Sequence, residues 1–355
     1  MKKGLFILKK LRRIIFVFVI VLGIYLFLKD PETFNRGAND VNQKELLLEK
    51  KEQIQRPSKN KLTINLDSWI GMSVDELTDE LGEPDRKDLS EFNYTSYVYM
   101  DDYDEYLVFG VENAEVVTVF GTGSKLNIEP FTLGDSYDEL ADLAKFEKSL
   151  TFKKGRSSYT FELTEEDIVS RPLGQINPNT FIQFYFDEID DQLIAVRLIK
   201  GDTLLLQGSY HVSYRGNLPE EKELTKEELE IIDRNQEQQT VEITNVLRDF
   251  YGRGALESSE EIREVAFLHS EDMVKNNYFS HESYSGESLA DRLSTSGISF
   301  KVAGENIASN YIDSLATVVG WINSQGHRDS LLNNEFTHIG VGVYDTHYTQ
   351  NFIKK

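Results

Sequence analysis

The pattern of apolar and polar positions divides the chain into five stretches. An uninterrupted apolar run of 15 residues extends from Ile14 to Leu28. Residues 31–62 are mostly polar and predict a stalk. Short alternating runs between residues 64 and 215 predict strands, whereas after residue 238 apolar positions recur at helical spacing. We therefore predict an apolar N-terminal segment, a stalk, and two folded regions joined by a highly charged connector at residues 216–237.

The apolar run has the features of a membrane segment. A spanning helix usually needs about 17–25 residues, and snorkelling of flanking basic side chains can extend a shorter run. The run predicts either the core of a secretory signal peptide or a signal anchor. We favour an uncleaved anchor within residues 1–30, because the sequence after the run is Lys29-Asp30-Pro31 and no small-residue cleavage site follows. Basic residues before the run place the N-terminus in the cytoplasm and residues 30–355 outside.

A sequence motif occurs twice in the first folded region. Residues Ile70 to Leu77 recur as Leu133 to Leu140, 63 positions later. In both copies a Ser is followed three residues later by a Glu, which is the spacing of a helix-capping box: Ser73 with Glu76, and Ser136 with Glu139.

Strand-like runs follow each predicted helix. In the first copy they are Tyr94–Met100, Tyr106–Val111 and Val116–Phe120, and in the second Tyr159–Leu163, Phe181–Phe186 and Leu193–Ile199. Residues 64–215 therefore predict a duplicated unit of a helix and an antiparallel sheet. The acidic turns at Glu112-Asn113 and Asp187–Asp191 are expected to be solvated turns, with cation binding as the alternative.

The second folded region begins with helical patterns. Val241 to Tyr251 predicts one amphipathic helix. A second helix carries an apolar stripe that includes His269, so we interpret His269 as a packed core residue and not as a ligand. Trp321 shares a helical stripe with three aliphatic residues, and we predict that Trp321 and Phe336 lie in the core.

Composition excludes several kinds of chemistry. The 355 residues include no Cys, which excludes a disulfide framework, a thiolate metal site and a Cys nucleophile. The net charge is −22, and residues 31–355 hold 31 basic and 59 acidic residues. Such an acidic body repels nucleic acid and anionic lipid headgroups, so we predict no nucleic-acid partner.

Three segments of the second region carry a specific signal. They are Tyr278–His281 with Gly286-Glu287-Ser288 and Arg292, then Gly304–Ala308, and then Trp321–Arg328 continuing to Phe336–Gly342. In order and spacing they resemble the CAP superfamily, which comprises cysteine-rich secretory, antigen 5 and pathogenesis-related proteins. Residues 64–215 resemble the domain often found before bacterial CAP domains.

The resemblance implies a mixed α+β protein whose residues 238–355 form an α-β-α sandwich. It also implies a cleft lined by two His and two acidic residues. Carried over position by position, the His residues are His281 and His327, and the first acid is Glu305. The second acid falls on Ser324, a change that is common in bacterial relatives.

Three interpretations of this cleft stay open. His281, His327 and Glu305 are reasonable ligands for a divalent metal such as zinc, held weakly and only while the imidazoles are neutral, so that affinity falls below about pH 6. The same residues also suit a hydrogen-bonded knot that only shapes the cleft. In the third interpretation, Glu305 fixes one imidazole so that the other acts as a general base, with Ser324 as a candidate nucleophile.

The sequence thus predicts a membrane-anchored extracellular module that binds or signals and is not primarily an enzyme. Its expected partner is an unidentified extracellular ligand, for which a lipid, a peptide and a cell-wall component are the candidates. The rival interpretations are a hydrolase that acts on peptide or cell-wall material and a structural envelope protein. The charged connector further predicts that residues 64–215 and 238–355 fold independently.

Overall fold

The structure, a computed structural model, describes residues 68–355. The predicted anchor at residues 14–28 and the stalk at 31–62 lie outside this range. Within the described residues, no helix is long and apolar enough to cross a membrane. The protein mixes helices with mainly antiparallel sheets, so the predicted α+β class is confirmed.

Residues 68–215 form the N-terminal part of the described chain. Its helices are α1 (Val74–Leu81), α2 (Tyr137–Ala144), α3 (Glu165–Ser170) and α4 (Gly201–Gln207). Its strands are β1 (Arg86–Leu89), β2 (Thr95–Asp101), β3 (Glu105–Glu112), β4 (Glu115–Thr122), β5 (Ser149–Lys154), β6 (Ser157–Glu162), β7 (Leu173–Asn177), β8 (Thr180–Asp187), β9 (Gln192–Lys200) and β10 (His211–Arg215).

Both copies of the repeated motif form the same local structure. Helix α1 begins after Ser73, whose hydroxyl accepts a hydrogen bond from the Glu76 amide at 3.3 Å, while the Ser73 amide donates to the Glu76 carboxylate at 3.0 Å. Ser136 and Glu139 make the same pair of bonds before α2. Both predicted capping boxes are therefore present.

The glycine of each copy ties its helix to a strand. The Gly71 amide donates to the Val116 carbonyl at 2.9 Å, and the Gly134 amide donates to the Leu193 carbonyl at 2.8 Å. Both glycines have positive φ angles, 94° and 98°, which a residue with a side chain rarely adopts. The two helices are thus anchored at equivalent places, near the starts of β4 and β9.

Seven strands form one antiparallel sheet in the order β1-β2-β3-β4-β9-β8-β7, and the two copies meet where β4 pairs with β9. The predicted strand Tyr159–Leu163 is confirmed as β6. It pairs with β5 and β10 in a separate three-stranded sheet, and β7 is the strand beside β8.

Residues 226–355 form the C-terminal part. Its helices are α5 (Lys226–Phe250), α6 (Glu260–Asn276), α7 (Leu289–Thr295), α8 (Ser314–Ile322) and α9 (Gln325–Leu331). Its strands are β11 (Glu257–Ser258), β12 (Val302–Ser309), β13 (His338–Tyr344) and β14 (His347–Lys354), which form a sheet in the order β11-β13-β14-β12. Helix α5 begins at Lys226 and not at the predicted Val241, because Thr225 and Glu228 form another capping box.

Helices cover both faces of this four-stranded sheet. Val341 and Val343 of β13 lie in one apolar cluster with Val246 of α5. On the opposite face, Gly340 and Gly342 lie against the backbone of α6, where a Cβ atom at either position would collide with it. The absence of side chains at these two glycines therefore allows α6 to pack directly onto the strand.

One face of the seven-stranded sheet packs on the C-terminal part. Val98, Tyr106 and Phe120 of the sheet share an apolar cluster with Val246 of α5 and Leu315 of α8. The charged connector gave no sign of this contact, because the residues that make it lie far from the connector in sequence. The two parts thus share a buried apolar interface.

Charged side chains also join the two parts. Arg86 of β1 donates to both carboxylate oxygens of Glu242 on α5, at 2.7 and 2.9 Å. Arg197 of β9 forms a buried ion pair with Asp313, the residue before α8. Removing either partner would leave a buried charge uncompensated, so these pairs also disfavour separation of the two parts.

Candidate functional site

The four predicted site residues come from three different elements. His281 lies in the loop between α6 and α7, and Glu305 lies on β12. Ser324 immediately precedes α9, and His327 lies in the first turn of that helix. We call these four residues the cleft residues.

Glu305 is a nearly buried carboxylate with two partners. Its Oε1 accepts a hydrogen bond from Nδ1 of His281 at 3.0 Å, and its Oε2 is bound by the Arg292 guanidinium. The side chains of Glu305 and Arg292 are 4% and 9% exposed, whereas that of His281 is 57% exposed. Because a carboxylate only accepts, Nδ1 of His281 carries the proton, and in the neutral ring Nε2 keeps a free lone pair.

His327 is held by a second set of contacts. Its Nδ1 is 2.9 Å from the Ser324 hydroxyl, and its backbone carbonyl accepts from the side-chain amide of Asn306 at 3.1 Å. Burial lowers the pKa of His327, and the nearby His281 lowers it further. His327 is therefore a neutral imidazole near pH 7, close enough to His281 for the two rings to interact electrostatically.

The contacts form two pairs and not one continuous triad. His281 is bonded to Glu305, and His327 to Ser324, while no hydrogen bond of the described residues joins Glu305 to His327. Between residues 68 and 355, no group of three or more His, Asp and Glu side chains has an arrangement that could hold a metal ion. As both oxygens of Glu305 are engaged, the donors best suited to an added ion are the two Nε2 atoms.

His269 lies in the core, as its position on the apolar stripe predicts. It is 1% exposed, and its Nε2 donates to the carbonyl of Ser280 at 3.0 Å. Ser280 directly precedes His281, so this bond helps to fix the loop that carries the first cleft imidazole.

Arg292 contacts the cleft residues, although the sequence interpretation gave it no role. Besides Glu305, its guanidinium binds the carbonyls of His281 and Glu287, at 2.9 and 3.2 Å. One side chain thus holds both the backbone and the carboxylate partner of His281. The sequence feature that could have indicated this role is the position of Arg292, one turn after the capping residue Ser288, on the first helix after His281.

The turn that carries Ser324 is attached to the N-terminal part. The side chain of Asn323 accepts from the Glu188 amide at 2.9 Å and donates to the Phe186 carbonyl at 2.8 Å. Arg328, which follows His327, binds Asp187 at 2.9 Å and also pairs with Asp190. The turn between β8 and β9 therefore contacts the residues on both sides of the Ser324–His327 pair.

Two family sequence profiles match the chain. The CAP-associated N-terminal family matches residues 70–210, and the cysteine-rich secretory protein family matches residues 241–353. These ranges correspond to the two parts of the described structure.

Individual proteins are similar over most of the chain. The uncharacterized membrane protein YlbC of Bacillus subtilis (strain 168) is 39% identical over 353 residues, which cover 98% of this chain and all of YlbC. A crystal structure of an extracellular protein containing a SCP domain from Bacillus anthracis is 36% identical, with a TM-score of 0.77, and the match covers 86% of this chain and 99% of that one. A cysteine-rich secretory protein of Staphylococcus aureus has the same fold, at 24% identity and a TM-score of 0.72, with coverage of 81% and 92%.

Proposed function

The chain belongs to the cysteine-rich secretory protein (CAP) family in a form preceded by a CAP-associated N-terminal domain, and on this premise we propose that it is a membrane-anchored extracellular binding module. The apolar run at residues 14–28 would be the anchor. The name of YlbC, which describes a membrane protein, supports this assignment. We expect the full-length chain to stay with membranes after a high-salt wash. A variant lacking residues 1–30 that stays there equally well would contradict the anchor.

The cleft is the proposed ligand site, and one observation carries this assignment. His281 and His327 each have Nδ1 occupied by a protein partner, which leaves both Nε2 atoms available. Metal-binding His residues commonly use one ring nitrogen in this way and direct the other at the ion. We propose that the two Nε2 atoms hold a divalent ion such as zinc, with water or the ligand completing the coordination.

In this arrangement Glu305 orients His281 and does not bind the ion itself. Arg292 places a positive charge next to Glu305, which disfavours a cation on that carboxylate. Two protein ligands are fewer than the three found in typical catalytic zinc sites, so we expect weak affinity, about micromolar or poorer.

Zinc titration of the full-length chain by calorimetry tests this proposal. We expect one weak site that disappears in the His281→Ala/His327→Ala double variant. His211→Ala is the matched control, because His211 is an exposed histidine of the N-terminal part, and it should leave the affinity unchanged. Glu305→Gln should weaken binding by less than the double substitution does. Equal zinc binding by wild type and the double variant would refute the site.

A hydrolase is the second candidate, because Ser324 and His327 are paired at 2.9 Å as a nucleophile and a base would be. Against this, no carboxylate among residues 68–355 hydrogen-bonds to His327, so the third member of such a constellation is lacking. Hydrolysis of a peptide or a cell-wall fragment that is lost in both Ser324→Ala and His327→Ala would support the hydrolase over the binding module.

A further inference from the structure

A cavity lies between the two parts of the molecule. Its volume is about 720 Å³, within the range of small-molecule sites. Helix α3, the turn after β8 and the residues after α4 line one side, and helix α8 with the preceding Tyr311 lines the other. Neither part alone forms this cavity, which none of the cleft residues lines.

Two carboxylates at this cavity lack a cationic partner. Glu166 and Glu188 line it, and neither forms an ion pair with any described residue. The third acid of the lining, Asp167, is paired with Arg171 at 3.1 Å. Burial raises the pKa of Glu188, and repulsion from the negative charges of Glu166 and Asp187 raises it further. A bound cation would relieve that repulsion.

An aromatic ring accompanies the carboxylates. Tyr311 is 38% exposed, and its ring lies against Gly320 of α8, where any side chain would overlap it. Burial raises the pKa of Tyr311, the negative charge of Glu166 raises it further, and the positive charge of Arg171 lowers it. All three residues line the same cavity. The neighbouring Tyr210 already has the Arg171 guanidinium 5.0 Å from its ring centre. An ammonium group beside Tyr311 and two carboxylates would be bound by charge and by the aromatic face.

Two polar atoms in the wall of this cavity have no hydrogen-bond partner among the described residues. Arg171 Nε and the Ser209 hydroxyl are buried and have no hydrogen-bond partner in the described part of the chain. Both residues line the cavity. Unpaired buried polar atoms are uncommon in folded proteins, and they suggest that a bound molecule or water completes the wall.

We propose that this cavity between the two parts binds an organic cation, with an alkylammonium group between Glu166 and Glu188 and next to Tyr311. Anionic ligands such as phosphate are disfavoured by the two unpaired carboxylates. A bare metal ion is disfavoured because calcium takes six to eight oxygen ligands and this pair supplies at most four carboxylate oxygens. The hydroxyl groups of Ser170 and Ser209 would contact the polar remainder of the ligand.

Calorimetric titration of the full-length chain with trilysine and with spermidine tests the proposal. We expect at least one of them to bind, with an affinity that weakens as salt rises. Tighter binding of trilysine would indicate a peptide source of the ammonium group, and tighter binding of spermidine a free polyamine. Trilysine acetylated on all its amino groups should not bind, because it keeps the size and loses the charge.

Two test variants and one control variant distinguish binding at this cavity from general electrostatic attraction of a cation to an acidic protein. Glu166→Gln and Glu188→Gln should each lower the affinity about tenfold, whereas Glu165→Gln should not. Glu165 lies on the same helix but pairs with Lys148 and is 85% exposed. Circular dichroism should show that all three variants are folded. The His281→Ala/His327→Ala variant should bind normally, which makes this result independent of the cleft.

Three results would overturn the proposal. One is the absence of trilysine and spermidine binding up to millimolar concentration. Another is an equal loss of affinity in Glu165→Gln and Glu166→Gln. The last is binding of calcium alone with the same dependence on Glu166 and Glu188, since the carboxylates would then form a metal site.

Discussion

Trp321 is a single residue that connects the segments carrying two of the cleft residues. Its side chain is 2% exposed in the core between α8 and the sheet, and its indole N–H donates to the Ile307 carbonyl at 3.2 Å. Ile307 lies two residues after Glu305, and Trp321 lies three residues before Ser324. The indole therefore ties the strand that carries one cleft residue to the helix that leads to another.

We expect Trp321→Ala to destabilise the protein by about 3–5 kcal/mol, the usual cost of emptying a large buried aromatic site. Chemical denaturation of the full-length variant would measure the free energy of unfolding. Tyr284→Ala is a suitable control, because that aromatic side chain is 71% exposed. A variant that unfolds within about 0.5 kcal/mol of wild type would contradict the core assignment.

The raised pKa of Asp233, on α5, allows us to predict how the stability of the protein depends on pH. Burial raises the pKa of Asp233 to about 7. The hydrogen bond from the Asp345 amide lowers this pKa, and the negative charges of Asp345, Glu237 and Glu230 raise it. A carboxyl group with a raised folded pKa binds its proton more tightly in the folded state than in the unfolded state. Its ionisation therefore costs stability as pH rises from about 4 through 7.

Asp233→Asn removes this ionisation, so the variant should gain a few degrees in melting temperature over wild type at pH 8 and little at pH 4. Glu227→Gln, an exposed substitution on the same helix, should show no comparable change between the two pH values. Scanning calorimetry at both pH values is the measurement. An equal shift in melting temperature at pH 4 and pH 8 would show that the stabilisation does not come from removing the charge on Asp233.

Single residues of the site were predictable only to the extent that a motif marks them. His281, Glu305, Ser324 and His327 were located through the resemblance, and the stripe on α6 correctly placed His269 in the core. Arg292 received no role, because its function is to bind two carbonyls and a carboxylate from other segments. Such contacts depend on the folded path of the chain, so the position of Arg292 one turn after Ser288 does not indicate which groups it binds.

At the scale of elements, helix α9 is attached to the N-terminal part through Arg328. The guanidinium binds Asp187 and Asp190 and lies 4.8 Å from the ring centre of Tyr251. Since His327 is the preceding residue, these contacts limit how α9 can move relative to Glu305. The turn between β8 and β9 thus helps to position His327.

Arg328→Lys keeps the charge and loses the planar two-pronged contact. We expect faster amide exchange in residues 325–331 and a changed His327 ring resonance, without global unfolding. Arg234→Lys is the matched control, since Arg234 pairs with Glu237 and Glu260 within the C-terminal part. If exchange in α9 is the same in both variants, the β8–β9 turn does not position this helix.

Elements with local signals were predicted well. Helices α1 and α2 were found because a capping box lies entirely within four residues. The start of α5 at Lys226 was missed, because its first three turns are mostly charged and its buried side begins with Ile232. The strand β6 was found, but its partners were not predicted, because strand pairing is non-local and nothing in its own sequence selects β5 and β10.

At the scale of the whole molecule, the interface between the two parts decides whether either is stable alone. Sequence reasoning predicted independent folding from the charged connector. The structure shows an apolar interface around Tyr106 together with buried charge pairs, and we therefore expect the two parts to stay associated. The Arg86–Glu242 pair is joined by the Tyr106 hydroxyl, which donates to Glu242 at 2.9 Å. Separation would expose the apolar residues to water and leave Glu242 without these partners.

Limited proteolysis of the full-length chain would test this coupling. We expect cleavage between Gly216 and Thr225, where the backbone forms neither helix nor strand, and not within α5. The two fragments should then elute together on gel filtration, because the interface does not depend on the connector. Arg86→Gln should weaken their association, whereas Lys87→Gln should not, since Lys87 lies on the same strand and pairs with the exposed Glu83. Fragments that separate while each remains folded would establish that the two parts are independent domains.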